Sequence, residues 1–249
     1  MSADESPLPS VWTRPRRQRR EQPTLSREQI VSEALKLLDT EGIDALSMRR
    51  LGGRLGAVAT AIYWHVANKD ELIELVVDEV YGEMRVPEVE DPAGWRAAAV
   101  DCACSMRSVI LRHPWMVSVL GEVGLAYLGP NLMRQSERML ALFEAAGFAL
   151  READQAVKTV AAYVMGTATG EAAMLAKLVG GARSERDMVE DLWPAAEAAA
   201  VAYPRLRELY ATYRGQDPEK NREETFAYGL ERVLDGLQAR LGPAGGSAG

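Results

Sequence analysis

The chain is expected to fold as an all-α protein, and three observations carry that expectation. Ala, Leu, Glu and Arg dominate its 249 residues while aromatic residues reach only 6%, and such side chains lose little rotamer freedom in a helix. Apolar residues recur at spacings of three and four, and capping residues stand where the periodic runs begin. The length allows one large domain or two smaller ones. The expected architecture is an N-terminal three-helix helix-turn-helix unit followed by a larger helical domain.

Residues 1–23 hold four of the 12 prolines and, from Arg14 to Arg20, five arginines without an acid. This segment reads as a flexible basic arm, with a solubilising tail as the other reading. Ser26 and Gln29 form a capping box, and Ile30, Ala34, Leu37 and Leu38 make one apolar stripe up to Gly42, predicting a helix over 27–41. Ser47 caps a second helix carrying Met48, Leu51 and Leu55, broken at Gly56. A third runs from Ala59 to His65. Asn68 caps a fourth, with Glu71 at N3 and Leu72, Leu75, Val76 and Val80 on its inner face, ending near Arg85. Two short helices joined by a tight Gly-bearing turn behind a longer one match the helix-turn-helix layout, placed at 24–84 with its motif at 47–66.

Pro87 and Pro92 mark the boundary between halves. The second half is placed at 94–241, with helices at Trp95 to Arg112, from Pro130 at N1 to a stop at Gly147, at Arg151 to Lys177, and from Pro218 to about residue 240. The Gly-rich stretch 242–249 is expected to be disordered.

Charge separates the halves. Between Arg14 and Lys69 there are 11 basic and 6 acidic residues, a net of +5, which leaves −12 for the remainder of a chain whose total is −7. A positive field confined to the N-terminal part suits a phosphate backbone, which the average would repel. Cys102 and Cys104, two apart on a helix, diverge and read as thiols rather than a disulfide or metal pair. No secretory or membrane-spanning segment is expected, so the protein is placed in the cytoplasm. With two histidines and no H-x-x-x-H, G-x-S-x-G or P-loop pattern, no catalytic residue, metal or cofactor is expected.

The stretch Ala57 to Leu72 reads A-V-A-T-A-I-Y-W-H-V-A-N-K-D-E-L. Ile62 and Val66, four apart, can point inward while Ala59, Thr60, Ala61, Tyr63, Trp64 and His65 face a groove. With Leu46-Ser47-x-Arg49-x-Leu51 and Leu55-Gly56, this pattern resembles the TetR family of bacterial repressors over residues 24–84. Phe226-x-Tyr-Gly-Leu-Glu-Arg-Val-Leu-Asp-Gly-Leu resembles the family's last dimerisation helix. The resemblance implies that Thr60 and Ala61 meet base edges, that Tyr63 and His65 bond phosphates, that Lys69 holds the DNA backbone and that Arg49 reaches a guanine. Val58 replaces a capping Ser, and Gly52 and Gly53 stand where Ala and a polar residue are usual.

The second half would receive a small, mostly apolar effector. Candidate lining residues are Trp95, Cys102, Met106, His113, Trp115, Leu120, Met133, Tyr163, Met165, Thr167 and Met174. His113 resembles one drug-complex histidine of tetracycline repressors, but Arg85 stands near where another is expected, which argues against tetracycline itself. A homodimer on a palindromic operator is expected, joined through Gly166, Gly170, Phe226, Leu230, Val233, Leu234 and Leu237 in a four-helix bundle. A ligand-independent DNA-binding activator, and a helical carrier or enzyme without DNA binding, stay open as alternatives.

Overall fold

The computed structural model describes residues 25–89, 91–122, 128–176 and 184–241, and these are helical with no strand among them. The arm at 1–23, the tail at 242–249, Lys177 and the side chain of Leu120 lie outside the described residues. Eleven α-helices are described: α1 (Arg27–Glu41), α2 (Met48–Arg54), α3 (Ala59–Tyr63), α4 (Lys69–Gly82), α5 (Trp95–Arg112), α6 (Met116–Glu122), α7 (Pro130–Ala145), α8 (Leu150–Ala176), α9 (Glu185–Ala199), α10 (Pro204–Tyr213) and α11 (Pro218–Gln238). By packing, the chain divides into compact units at 1–158 and 159–249. The first unit therefore takes in the helix-turn-helix together with α5, α6 and α7, across the proline-bearing stretch at 86–92.

Local chemistry starts α1, α2 and α4. Ser26 Oγ accepts from Gln29 N at 3.1 Å while Gln29 Oε1 accepts from Ser26 N at 2.8 Å, closing the expected box. Gly42 ends α1 at φ +78°, its N–H bonded to Leu38 O, in a backbone region that costs glycine little. Ser47 Oγ accepts from Arg50 N at 3.2 Å. Asn68 Oδ1 accepts from Glu71 N at 2.8 Å, but the Glu71 carboxylate takes Ala67 N, one residue before the cap. The box expected there is thus shifted outward.

α3 begins without a side-chain cap, since Val58 occupies that place. It ends at Tyr63, short of His65, because His65 N and Val66 N both donate to Ile62 O and the chain turns away. Five residues do not hold a helix in water. Burial does it here: Ile62 and Val66 are 0% exposed and join Ile30, Leu37, Leu38, Leu51, Leu72 and Val76 in one core, each such side chain contributing roughly 1.5–3 kcal/mol.

The α2–α3 crossing is close enough to require glycine at one position. A Cβ on Gly52 would sit 2.7 Å from Ala57 O, an atom whose residue also donates its N–H to Gly52 O, whereas a Cβ on Gly53 would meet nothing within 4 Å. Gly53→Ala should stabilise by about 0.5–1 kcal/mol, and Gly52→Ala should destabilise by about 1–3 kcal/mol because backbone must shift. Paired thermal melts check this. Equal shifts of the same sign would contradict the close approach.

In the second unit, Tyr163 of α8 lies against Phe226 of α11 with ring centroids 5.7 Å apart, and its hydroxyl donates to Phe226 O at 2.9 Å. Arg222 is held between Glu171, at 3.0 Å, and Glu185. Phe226, Leu230 and Leu234 are 4%, 1% and 0% exposed. The apolar stripe of α11 is therefore core of its own chain; Val233 and Leu237 are half-buried beside it. Gly166 and Gly170 on α8 are exposed, with open space where a side chain would project.

Candidate nucleic-acid interface and its fastening to the effector half

The residues expected to meet DNA share one outward surface. Thr60, Tyr63 and Trp64 are exposed, Trp64 at 78%, while Ala59, Ala61 and His65 are half-buried. An indole left this far in water is the kind of apolar exposure that marks a contact site. Ser47, expected to touch DNA, spends its hydroxyl capping α2. Lys69 reaches back to Ile43 O at 3.4 Å, a long bond at the near end of α4.

Three arginines rise from α2, and their surroundings differ. Arg50 is paired with Glu41, and Arg54 with Glu33 at 2.6 Å and with Glu41; the hydrogen bond from Arg54 holds the Glu33 carboxyl below its ordinary range. Arg49 is exposed and makes no ion pair among the described residues. Its guanidinium is the one on α2 left available to a base edge or phosphate.

Behind this surface α4 is enclosed, with Leu72, Ile73, Val76, Val77 and Val80 all buried. Two polar junctions fasten it. Asp78, 5% exposed, turns its carboxylate to the first turn of α7 and accepts from Asn131 N at 3.0 Å and Leu132 N at 2.9 Å, while Asn131 Nδ2 donates back to Asp78 O at 3.0 Å. An acid at a helix N-terminus meets unpaired N–H groups and a favourable dipole. At the other junction, His113 Nδ1 lies 2.7 Å from Asp39 Oδ1 of α1 and its Nε2 lies 3.2 Å from Glu83 Oε2, just past α4; Trp115 Nε1 donates to the same Asp39 oxygen at 2.8 Å. Arg112 completes the pair with Glu83.

These junctions revise the expected effector lining. His113 and Trp115 have their polar atoms committed to carboxylates and serve the α1–α5 corner. Met133 and Met165 point outward at 45% and 39% exposure, and Thr167 donates its hydroxyl to Tyr163 O and Val164 O within its own helix. Trp95 lies in an aromatic cluster with Phe143 and Phe148, both rings 6.1 Å away. Cys102 is buried, which pushes its thiol up to about 11, and Met106 and Met174 are half-buried. Asp39, Asp78, Glu83, Asn131 and Gln135 escaped sequence reading. The one available signal was Asp78, a carboxylate amid the apolar positions of α4.

Comparison with known proteins agrees with this layout. Residues 30–76 match the family model described as bacterial regulatory proteins, tetR family, and residues 87–241 match the tetracyclin repressor-like C-terminal domain. An HTH-type transcriptional regulator of Saccharopolyspora erythraea is 39% identical over 241 residues, covering 97% of this chain and 96% of the relative. The HTH-type transcriptional repressor DrrR1 of Streptomyces coeruleorubidus is 30% identical, with 93% and 84% covered. Among solved structures, ActR of Streptomyces coelicolor in complex with actinorhodin is similar with a TM-score of 0.72 at 30% identity, covering 89% of this chain and all of that one. With a helix-turn-helix whose Thr60, Tyr63 and Trp64 stand in solvent and a second half matching the repressor-like domain, the chain belongs to the TetR family of DNA-binding transcriptional regulators.

Proposed function

We propose that this regulator is a repressor: a homodimer grips a palindromic operator and a small, mostly apolar molecule releases it. The observation that carries the reading is the outward, solvent-exposed α3 presented by a fully buried Ile62 and Val66. Two such helices about 34–36 Å apart enter successive major grooves. For the second copy, Ala162, Gly166, Gly170 and Ala173 follow one exposed line of α8, and small residues there allow a helix to approach closely. That line, rather than the buried stripe of α11, is the dimer face. Lys69, drawn from Ile43 O to a phosphate, and Thr60, Tyr63, His65 and Arg49 complete the contacts in the cytoplasm.

Release follows from the fastening of α4. An effector that prefers a shifted α7 moves α4 through Asp78, and α4 carries the spacing of the two heads. A hundredfold loss of operator affinity needs about 2.7 kcal/mol of differential binding. ActR, solved with actinorhodin, supports a small-molecule effector. Gel-shift titration on the DNA upstream of the gene tests the whole reading: steep salt dependence and release by one of a set of lipophilic compounds is expected. Binding that ignores the palindrome, or that no compound reverses, would count against it.

A further inference from the structure

We propose that Glu41 and Glu33 of α1 withhold two arginines of α2 from DNA, and so keep the helix-turn-helix head from binding duplexes of arbitrary sequence tightly. The inference rests on the family's DNA binding and needs neither operator nor effector. Arg49, Arg50 and Arg54 give α2 a formal charge of +3, which any phosphate backbone attracts. The two acids cancel most of it. Arg50 Nη2 pairs with Glu41 Oε2, Arg54 Nη1 lies 3.4 Å from Glu41 Oε1, and Arg54 Nε lies 2.6 Å from Glu33 Oε1. Glu41 thus spends one oxygen on each arginine, and Glu33 holds Arg54 a second time. Three cations against two acids leave +3 − 2 = +1, the charge of Arg49, which makes no ion pair among the described residues.

A brace between α1 and α2 is the ordinary use of such a network, and magnitudes decide against it. The two helices already share a core through Ile30, Leu37, Leu38 and Leu51, none more than 1% exposed. The four charged side chains are between 18% and 49% exposed, a setting in which ion pairs add little to stability. Toward DNA the same charges weigh more. Each cation that meets a phosphate releases a counterion, which amounts to about fivefold in affinity at about 0.15 M salt. Arg50 directly follows Arg49 in the first turn of α2 and is the most exposed of the four, so it is the arginine best placed to join Arg49 at the backbone once Glu41 lets go.

The test is a double-mutant cycle on the full chain, with affinity for a random-sequence duplex measured across a salt series and melting temperature recorded alongside. Arg50→Gln alone should leave affinity within about twofold of the wild type, because the guanidinium it removes is already held. Glu41→Gln should tighten binding about fivefold for each head on the duplex and steepen the slope against salt by about 0.9 per head. Adding Arg50→Gln to Glu41→Gln should take that gain back, which separates release of Arg50 from the mere loss of an acid. A brace gives the opposite pattern: a lower melting temperature for Glu41→Gln, with duplex binding unchanged or weaker. That pattern, a loss of about fivefold for Arg50→Gln alone, or a gain that survives in the double variant would overturn the proposal. Should Glu41→Gln fail to fold, Arg50→Gln decides alone, unchanged binding supporting the withheld arginine and a loss of about fivefold refuting it. A random duplex holds no operator, so either outcome leaves the repressor reading to its own gel shift.

Discussion

Arg49→Ala should lower operator affinity about 30-fold to 20,000-fold while moving the melting temperature of the unbound protein by no more than about 2 °C. The side chain is exposed and unpaired among the described residues, so its removal opens no cavity and breaks no ion pair. On DNA it is the α2 cation free to act, since Arg50 and Arg54 are already held by Glu41 and Glu33. A good contact to a base is worth about 1–3 kcal/mol, and a two-fold dimer loses it twice. Arg49→Lys separates two roles. If the guanidinium reads a guanine with both its nitrogens, Lys loses discrimination between operator variants; if it holds a phosphate, Lys keeps both affinity and the slope against salt. Binding by Arg49→Ala within twofold of the wild type would remove Arg49 from the interface.

Asp78→Ala should be the most destabilising single change at the α4–α7 junction. The carboxylate is buried and accepts two backbone N–H groups from the start of α7, and its loss leaves them without that partner. Hydrogen bonds to a charged acceptor contribute about 1.5–3 kcal/mol, so a loss near 3 kcal/mol, or roughly 6–12 °C in melting temperature, is expected. Asp78→Asn keeps one acceptor oxygen and should lose about half as much. Gly129→Ala attacks the same contact from the other side, because its Cβ would fall 2.1 Å from Asp78 Oδ1; the two changes combined should cost less than their sum. Where Asp78→Asn still binds operator, release by effector should be blunted. An unaltered melt for Asp78→Ala would dissolve the junction.

The polar junctions that fasten α4 join residues far apart along the chain. Asp78 and Asn131 are 53 residues apart, and His113 and Asp39 are 74 apart. Periodicity and capping rules reach only a turn or two, so nothing local distinguishes Asp39, on the last turns of α1, from any solvated acid. His113 shows the same from the other side: nothing near it in sequence announces that the fold sets its ring nitrogens beside Asp39 and Glu83. The stripe of α11 reads as apolar in the sequence, and the fold buries Phe226, Leu230 and Leu234 within their own chain. An amphipathic face needs a partner surface, and the pattern does not say whether that surface belongs to the same chain or to another.

Composition, caps and apolar spacing by themselves determined the helical class, the starts of α1, α2 and α4, and the outward face of α3, because these depend on backbone N–H groups and side chains within four residues of one another. The tertiary structure alone decided which polar groups fasten α4, that Gly52 must lack a side chain, and that Phe226, Leu230 and Leu234 are core. The reason is that burial and long-range hydrogen bonds are properties of surfaces brought together, and a residue's own neighbours in sequence hold no record of which surface will cover it.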